Sequence, residues 1–461
     1  MFTRLATFAL LGIMSLAASA QAPKYVFYFI GDGMGMGPVL ATETYNRAVL
    51  GNDQYITMLQ FPVASAALTY SASSKVTDSA AAGTALSTGV KTKNGMLGMD
   101  PDTVAVYSIA KDFKEAGYGV AIATSVPVDD ATPGAFYAHV PTRKMYYDIC
   151  LDLAKSGYDF FAGGCMRGLY DRERSPEELL AFIGANGYAV ARGKEEYEAV
   201  KQADKILLLN SDYDFDHIGY TIDSISTNLS LPFITQAVID HLTRVAPDKF
   251  FTMIEGGNID WAGHANDAGA MVKEIINFNQ AIALAYDFYL QHPDETLIVV
   301  TADHNTGGME LGVLGGPSNP KLEYFDYQKV SIERMELKCR QWKDSGEDIT
   351  WEAMKEYLTE NLGLYGPIPV SEQDDQLIQE KFRKTFVDND SEDTHTLYTT
   401  YNEFVATVFD VLAHVTGIGW TTTNHTGDFV PVYAVGVGAD EFKCLNNNIE
   451  IPAKIRRIAG L

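Results

Sequence analysis

Three uninterrupted apolar runs, each followed by a polar loop rich in acids or histidines, constrain this chain more than any other feature. They read YVFYFIGDGMGMG from Tyr25, FFTMIEGGNIDWAGHAND from Phe250 and TLIVVTADHNTGG from Thr296. Such runs are short for helices, and they lack the polar alternation of a half-exposed sheet. They fit strands buried on both faces. Further runs at Val120–Thr124, Lys205–Leu209 and Pro431–Val435 alternate with helical patterns. The predicted fold is α/β, a three-layer sandwich with a large, mostly parallel central sheet and helices on both faces. Composition shifts between about Gly312 and Gly417, where the turn-rich stretch GGPSNPKLEYFDYQ precedes charged helices such as ITWEAMKEYLTENLG. This segment is predicted as an insertion before the last strand, rather than as a free-standing domain.

The first twenty residues stand apart. MFTRLATFALLGIMSLAASA has a basic residue, an apolar stretch and an Ala-Ser-Ala end, the pattern of a secretory signal cleaved after Ala20. The predicted folded part is therefore 21–461, periplasmic or secreted. No later run is long enough to span a bilayer, and no cysteine follows the cleavage site to carry a lipid, so no membrane anchor is expected. A formal net charge of -25 argues against nucleic acid or acidic membrane as partner. It also means that an anionic substrate needs a strongly positive local site. Cys150, Cys165, Cys339 and Cys444 form no zinc motif; Cys150 and Cys165 are spaced for a disulfide or for two free buried thiols.

Open α/β sheets bind ligands beyond the carboxyl ends of their strands. At those ends this chain places Asp32, then Glu255, Asp260 and His264, then Asp303 and His304. Asp260 and His264 are four apart, so one helical turn would present both to one metal ion. Asp303 and His304 are adjacent and can share an ion only on an irregular loop, which NTGG supplies. His425, in TTTNHTGD, offers another nitrogen. Carboxylate with imidazole suits zinc, and oxygens alone suit magnesium. Taken singly, each element reads as an ion pair, a cap or a turn; their joint occurrence at strand ends points to a metal site. His217, His241, His292, His395 and His414 lack such a setting and are expected to be structural or solvent-facing. In VTDSAAAGTA, both Asp78 and Ser79 are suited to cap a helix. The small residues that follow are expected to keep that helix start open, where an anion is favoured. Cap and nucleophile both remain readings of Ser79 at this point.

In chain order, YFIGDGMG, VTDSAAAGTALSTG, DDATPGAFYAHVPTR, EGGNIDWAGHAND, VTADHNTGG and TTTNHTGD together resemble the alkaline phosphatases. The resemblance implies that Ser79 is a nucleophile that becomes phosphoserine. It implies one Zn2+ on Asp260, His264 and His425, and a second on Asp32, Asp303 and His304. A third ion, Mg2+, would use Asp32 again with Thr132 and Glu255. Arg143 would clamp two phosphate oxygens, with Asp130 and Trp261 also at the phosphate site, while His139 stays structural. The implied activity is hydrolysis of small phosphate monoesters by an exported enzyme that needs two Zn2+ and one Mg2+, with a homodimer possible.

One departure stands out. A lysine follows the first zinc aspartate in the best-known bacterial members, and Trp261 stands there in this chain. Asp130 is therefore expected to lack that cationic partner and to favour magnesium in the third site. Trp261→Lys is expected to tighten inorganic phosphate. Two alternatives accompany this reading: a phosphodiesterase or nucleotide pyrophosphatase on the same scaffold, and a non-catalytic exported protein that binds metal or phosphate. A sulfatase is disfavoured, because the chain lacks a Cys/Ser-x-Pro-x-Arg signature.

Overall fold

The longest apolar runs pair with one another at the centre of a ten-stranded sheet. The computed structural model describes residues 22–211, 215–225, 229–346, 348–390, 392–396 and 400–461. The predicted signal segment, Met1–Ala20, lies outside the described residues. The sheet contains β1 (Tyr25–Ile30), β2 (Val63–Leu68), β3 (Gly119–Thr124), β4 (Phe160–Gly163), β5 (Tyr188–Arg192), β6 (Lys205–Leu209), β7 (Phe250–Glu255), β8 (Thr296–Thr301), β9 (Val430–Gly436) and β10 (Asn446–Asn447). Their spatial order is β10-β2-β9-β8-β1-β7-β3-β4-β6-β5. Every residue of β1, β3, β7 and β8 is buried, as the lack of polar alternation requires. Helices Met36–Ala48, Leu231–Val245 and Ala268–Gln291 pack together as one group, and Ser79–Thr88, Ala131–Gly134 and Glu450–Ala459 belong to a second.

From β8 to β5 all neighbours run parallel, whereas β9 is antiparallel to both β8 and β2. Topology explains the exception. The chain leaves β8 at its carboxyl end and makes its longest excursion on that side. It re-enters the sheet from the same edge, so the returning strand must run backwards. Within that excursion, helices Ile332–Ser345, Trp351–Leu362, Glu372–Arg383 and Glu403–Thr416 enclose their own apolar cluster, including Met335, Leu358, Phe404 and Val408.

β2, β4 and β5 escape the sequence pattern. β2 is alanine-rich and only partly buried, β4 has four residues, and β5 is half-exposed at the sheet edge. All four cysteines are free thiols, and Cys150 Sγ donates to Asp129 Oδ2 at 3.1 Å. Among the described residues no helix is long and apolar enough to cross a membrane.

Candidate active site

The predicted ligands sit where strands stop. Ile30 is level with both Glu255 and Thr301 in the parallel register, so the loops after β1, β7 and β8 leave the sheet side by side. Gly33 lets them touch. Its φ is +70°, and a Cβ there would meet Thr306 Oγ1 at 2.7 Å and the Asp260 Cα at 2.8 Å. Its N–H donates to Asp303 Oδ1 at 3.1 Å, which ties the first loop to the third.

Helix Asn258–His264 presents Asp260 and His264 on one face, with Oδ1 and Nε2 3.5 Å apart. His425 arrives by a different route. The pair His425–Thr426 bonds antiparallel to Asn305–Thr306, and this stacks the His425 ring on His304 with centroids 3.6 Å apart.

Ser79 is the first residue of helix Ser79–Thr88, and Asp78 is its cap, accepting from the Ala81 N–H at 3.0 Å. Capping is thereby done by Asp78, and the Ser79 hydroxyl is left to face His304 Nε2 at 3.1 Å. The small residues of this helix also serve its packing. They are buried, and a Cβ on Gly83 would lie 3.2 Å from both Thr132 Cα and Ala135 Cβ. They let helix Ala131–Gly134 approach closely, which puts Thr132 Oγ1 3.3 Å from Asp32 Oδ2. Glu255 lies beside the same group, held by a hydrogen bond from the Thr124 hydroxyl.

The donor chemistry of this cluster fits cations. Asp32 Oδ1, Glu255 Oε1, Asp260 Oδ2 and Asp303 Oδ2 are buried carboxylate oxygens without a hydrogen bond. His264 Nδ1 faces the Thr423 carbonyl at 2.6 Å and His425 Nδ1 faces the Thr77 carbonyl at 2.9 Å. Each Nδ1 therefore carries its ring's proton, so the two Nε2 atoms, 3.0 Å apart, point lone pairs at each other. A cation between them turns that repulsion into ligation. His304 obeys the same logic. The Thr306 hydroxyl gives its one proton to Asp260 and accepts from His304 Nδ1 at 3.2 Å. His304 Nε2 then faces Asp303 Oδ2 at 3.0 Å and Asp32 Oδ1 at 3.4 Å.

Spacing agrees. Asp260 Oδ1 lies 3.5 Å from His264 Nε2 and 3.6 Å from His425 Nε2. Ligand atoms around tetrahedral zinc with bonds near 2 Å stand about 3.3 Å apart. The Asp32, Asp303 and His304 ligand atoms also lie within 4.8 Å of one another, as do those of Asp260, His304 and His425.

The electrostatics show how strained so many acceptors are together. Burial, and then the charges of Asp303, Asp260 and Glu255, push the Asp32 carboxyl well above its ordinary range. Burial likewise raises Glu255 to about 8. Burial would raise Asp303 too, but His304 overrides it and holds that acid below the usual value. Burial and the neighbouring His304 push His425 down to about 3.

Arg143 lies beside the cap of the helix that begins at Ser79. Its Nη2 donates to Asp130 Oδ1 at 2.7 Å, and its Nη1 is 3.7 Å from Asp78 Oδ2. Burial works to raise the Asp130 carboxyl, but Arg143 and Arg167 hold it below the ordinary range. With Trp261 where that lysine would stand, Asp130 takes its second cation from elsewhere. Arg167 Nη1 reaches Asp130 Oδ2 at 3.4 Å, and its guanidinium lies over the Trp261 ring at 5.2 Å. Sequence reasoning missed Arg167 because it follows β4, a strand too short to signal a loop at the site.

Thr124 and Thr306 were missed as well; a hydroxyl that aims a ligand has no sequence signature. Among the other histidines, His139 packs on Tyr107, His241 on Phe160 and His292 on Tyr25, all away from the cluster. His217 is buried between Glu333 and Trp261, so it borders the site.

Comparison with known proteins gives one answer. The sequence profile of the family described as Alkaline phosphatase matches residues 23–161 and 177–461. The chain is 29% identical over 436 residues to alkaline phosphatase 4 of Bacillus subtilis (strain 168), covering 93% of this chain and 87% of that protein. It is 27% identical over 452 residues to the alkaline phosphatase of Schizosaccharomyces pombe, covering 94% and 80%. Among solved structures, the cold-active alkaline phosphatase from the psychrophile Shewanella sp. superposes with a TM-score of 0.79 at 27% identity, covering 94% of this chain and 99% of that one. The chain belongs to the alkaline phosphatase family and is a phosphomonoesterase.

Proposed function

We propose that this chain is an exported phosphate monoester hydrolase in which Ser79 is transiently phosphorylated inside a cage of divalent cations. Asp260, His264 and His425 would hold one Zn2+; Asp32, Asp303 and His304 the second; Asp32, Thr132 and Glu255 a Mg2+. Nitrogen-containing sets suit zinc, and the all-oxygen set suits magnesium. The observation that carries the reading is one buried cluster in which His304 Nε2 faces the Ser79 hydroxyl, two further histidine Nε2 atoms face each other, and four carboxylate oxygens lack hydrogen bonds. Bound there, such ions supply hydroxyl activation at neutral pH and charge neutralisation at the phosphoryl oxygens.

The chain's own residues do the rest. Arg143 offers a planar fork that receives two phosphate oxygens, oriented by Asp130 and Asp78. A monoester has the free charged oxygens for that fork and a diester has fewer, which favours monoesters. Ser79 gives up its proton and its Oγ bonds to phosphorus as the bond from phosphorus to the ester oxygen breaks, and that oxygen leaves as the alcohol after taking a proton from water. The positive end of helix Ser79–Thr88 stabilises charge developing on the phosphoryl group. Water then attacks the phosphoserine from the side the alcohol left, restoring the serine and releasing inorganic phosphate. Two in-line displacements give net retention at phosphorus.

Rapid acid quench with substrate should trap phosphate on the peptide containing Ser79, and Ser79→Ala should abolish both the label and most turnover. Turnover that survives Ser79→Ala would remove this mechanism.

A further inference from the structure

Arg167 lies in the segment 162–176, between the two stretches that match the family profile. It is nevertheless one carboxylate away from the phosphate clamp. Its backbone N–H donates to Asp129 Oδ1 at 2.9 Å, which fixes where the side chain starts. Its Nε donates to Asp216 Oδ2 at 2.6 Å, and its Nη1 lies 3.3 Å from Tyr146 Oη and 3.4 Å from Asp130 Oδ2. The guanidinium lies over the rings of Trp261 and Tyr146, at 5.2 and 5.3 Å. A guanidinium held by its backbone, two carboxylates and two aromatic faces has little freedom left.

Asp130 is shared. One oxygen takes Arg143 Nη2 and the Ala131 N–H, both at 2.7 Å, and the other takes Arg167. A carboxylate with Arg143 as its sole cationic partner would compete with phosphate for that guanidinium. With a second guanidinium on its far oxygen, Asp130 can orient Arg143 while leaving more of its positive charge to the ligand. Trp261 supplies the flat surface on which the second cation rests.

We propose that Arg167 is a positioning residue for phosphate binding, acting through Asp130 on Arg143 and using Trp261 as its platform. The inference rests on the clamp role of Arg143 in the proposed function. Its signature is in affinity and in coupling: removing Arg167 weakens phosphate, and only while Asp130 is present to transmit the effect.

The test compares wild type, Arg167→Met, Asp130→Asn and the double variant, with KM and kcat on p-nitrophenyl phosphate and the inhibition constant of inorganic phosphate. Arg167→Met keeps the apolar stem and should raise both KM and the phosphate inhibition constant about tenfold, the usual scale for a charged hydrogen bond. In the Asp130→Asn background the same change should move neither by more than about twofold. A simple loss of folded enzyme would lower kcat and leave the inhibition constant alone. An unchanged inhibition constant in Arg167→Met, or an equal effect in both backgrounds, overturns the proposal.

Should Arg167→Met yield no folded protein, Arg167→Lys is read instead. It keeps the charge but cannot span Asp216 and Asp130 while stacked, so phosphate must again weaken, and unaltered binding overturns the idea. Ser79→Ala, run alongside, separates the two claims. If that variant is dead and Arg167→Met is normal, the positioning role alone fails; if Ser79→Ala is active, the proposed function fails.

Discussion

At the scale of single residues, most candidate ligands were legible because they follow strand runs that the sequence announces. Asp32, Asp303 and His304 needed only that placement, and Asp260 with His264 also had helical spacing. What the sequence hid are residues that act on those ligands. Thr306 is the clearest case: by donating to Asp260 and accepting from His304 Nδ1, it fixes the tautomer that bares His304 Nε2. Thr306→Val keeps the shape and loses both bonds. Metal affinity measured by chelator competition should fall about 10- to 100-fold, as for other residues that orient a ligand. An unchanged affinity would mean His304 needs no such aid. Trp261 also reads differently once Arg167 is in view. A lysine at 261 would face that guanidinium, so the tightening of phosphate expected from the sequence is offset by like-charge repulsion.

At the scale of elements, the fully buried strands were legible and the half-buried ones were not, because only complete burial removes polar alternation. The helix Ser79–Thr88 shows how one pattern admits two causes. Its small side chains suggested access to the serine, and at Gly83 the lack of a side chain also permits close packing against Ala131–Gly134. A buried pair helps to tie the segment after β8 back to the site. His217 Nε2 meets Glu333 Oε2, on helix Ile332–Ser345, at 2.8 Å, and the His217 ring lies 4.9 Å from Trp261. Burial would lower the His217 pKa, but Glu333, helped by Asp216, raises it from 6.5 to about 9. A raised folded value means that the pair's contribution to stability is complete below pH 6.5 and is lost as pH climbs through about 9. Urea midpoints should therefore fall more steeply across that window in wild type than in Glu333→Gln. Parallel curves would show that the pair does not link this segment to protonation.

At the scale of the whole molecule, a chain of net charge -25 handles a dianionic substrate, which the global field repels. The fold resolves this by gathering at the carboxyl ends of its central strands a cluster whose own acids demand cations. The parallel register sets three loops level, and the antiparallel return through β9 delivers His425 from more than a hundred residues away. That long-range pairing is not written in any local pattern; His425 was recognised only through the motif around it. The central claim is that this cluster is a cage for divalent cations around Ser79. Elemental analysis of the purified enzyme, paired with turnover during stepwise chelation, tests it most directly. The account predicts two zinc and one magnesium per active chain, one zinc fewer in His425→Ala, and turnover that falls with the metal and returns on its addition. An enzyme that keeps full turnover after its metal is stripped would contradict it.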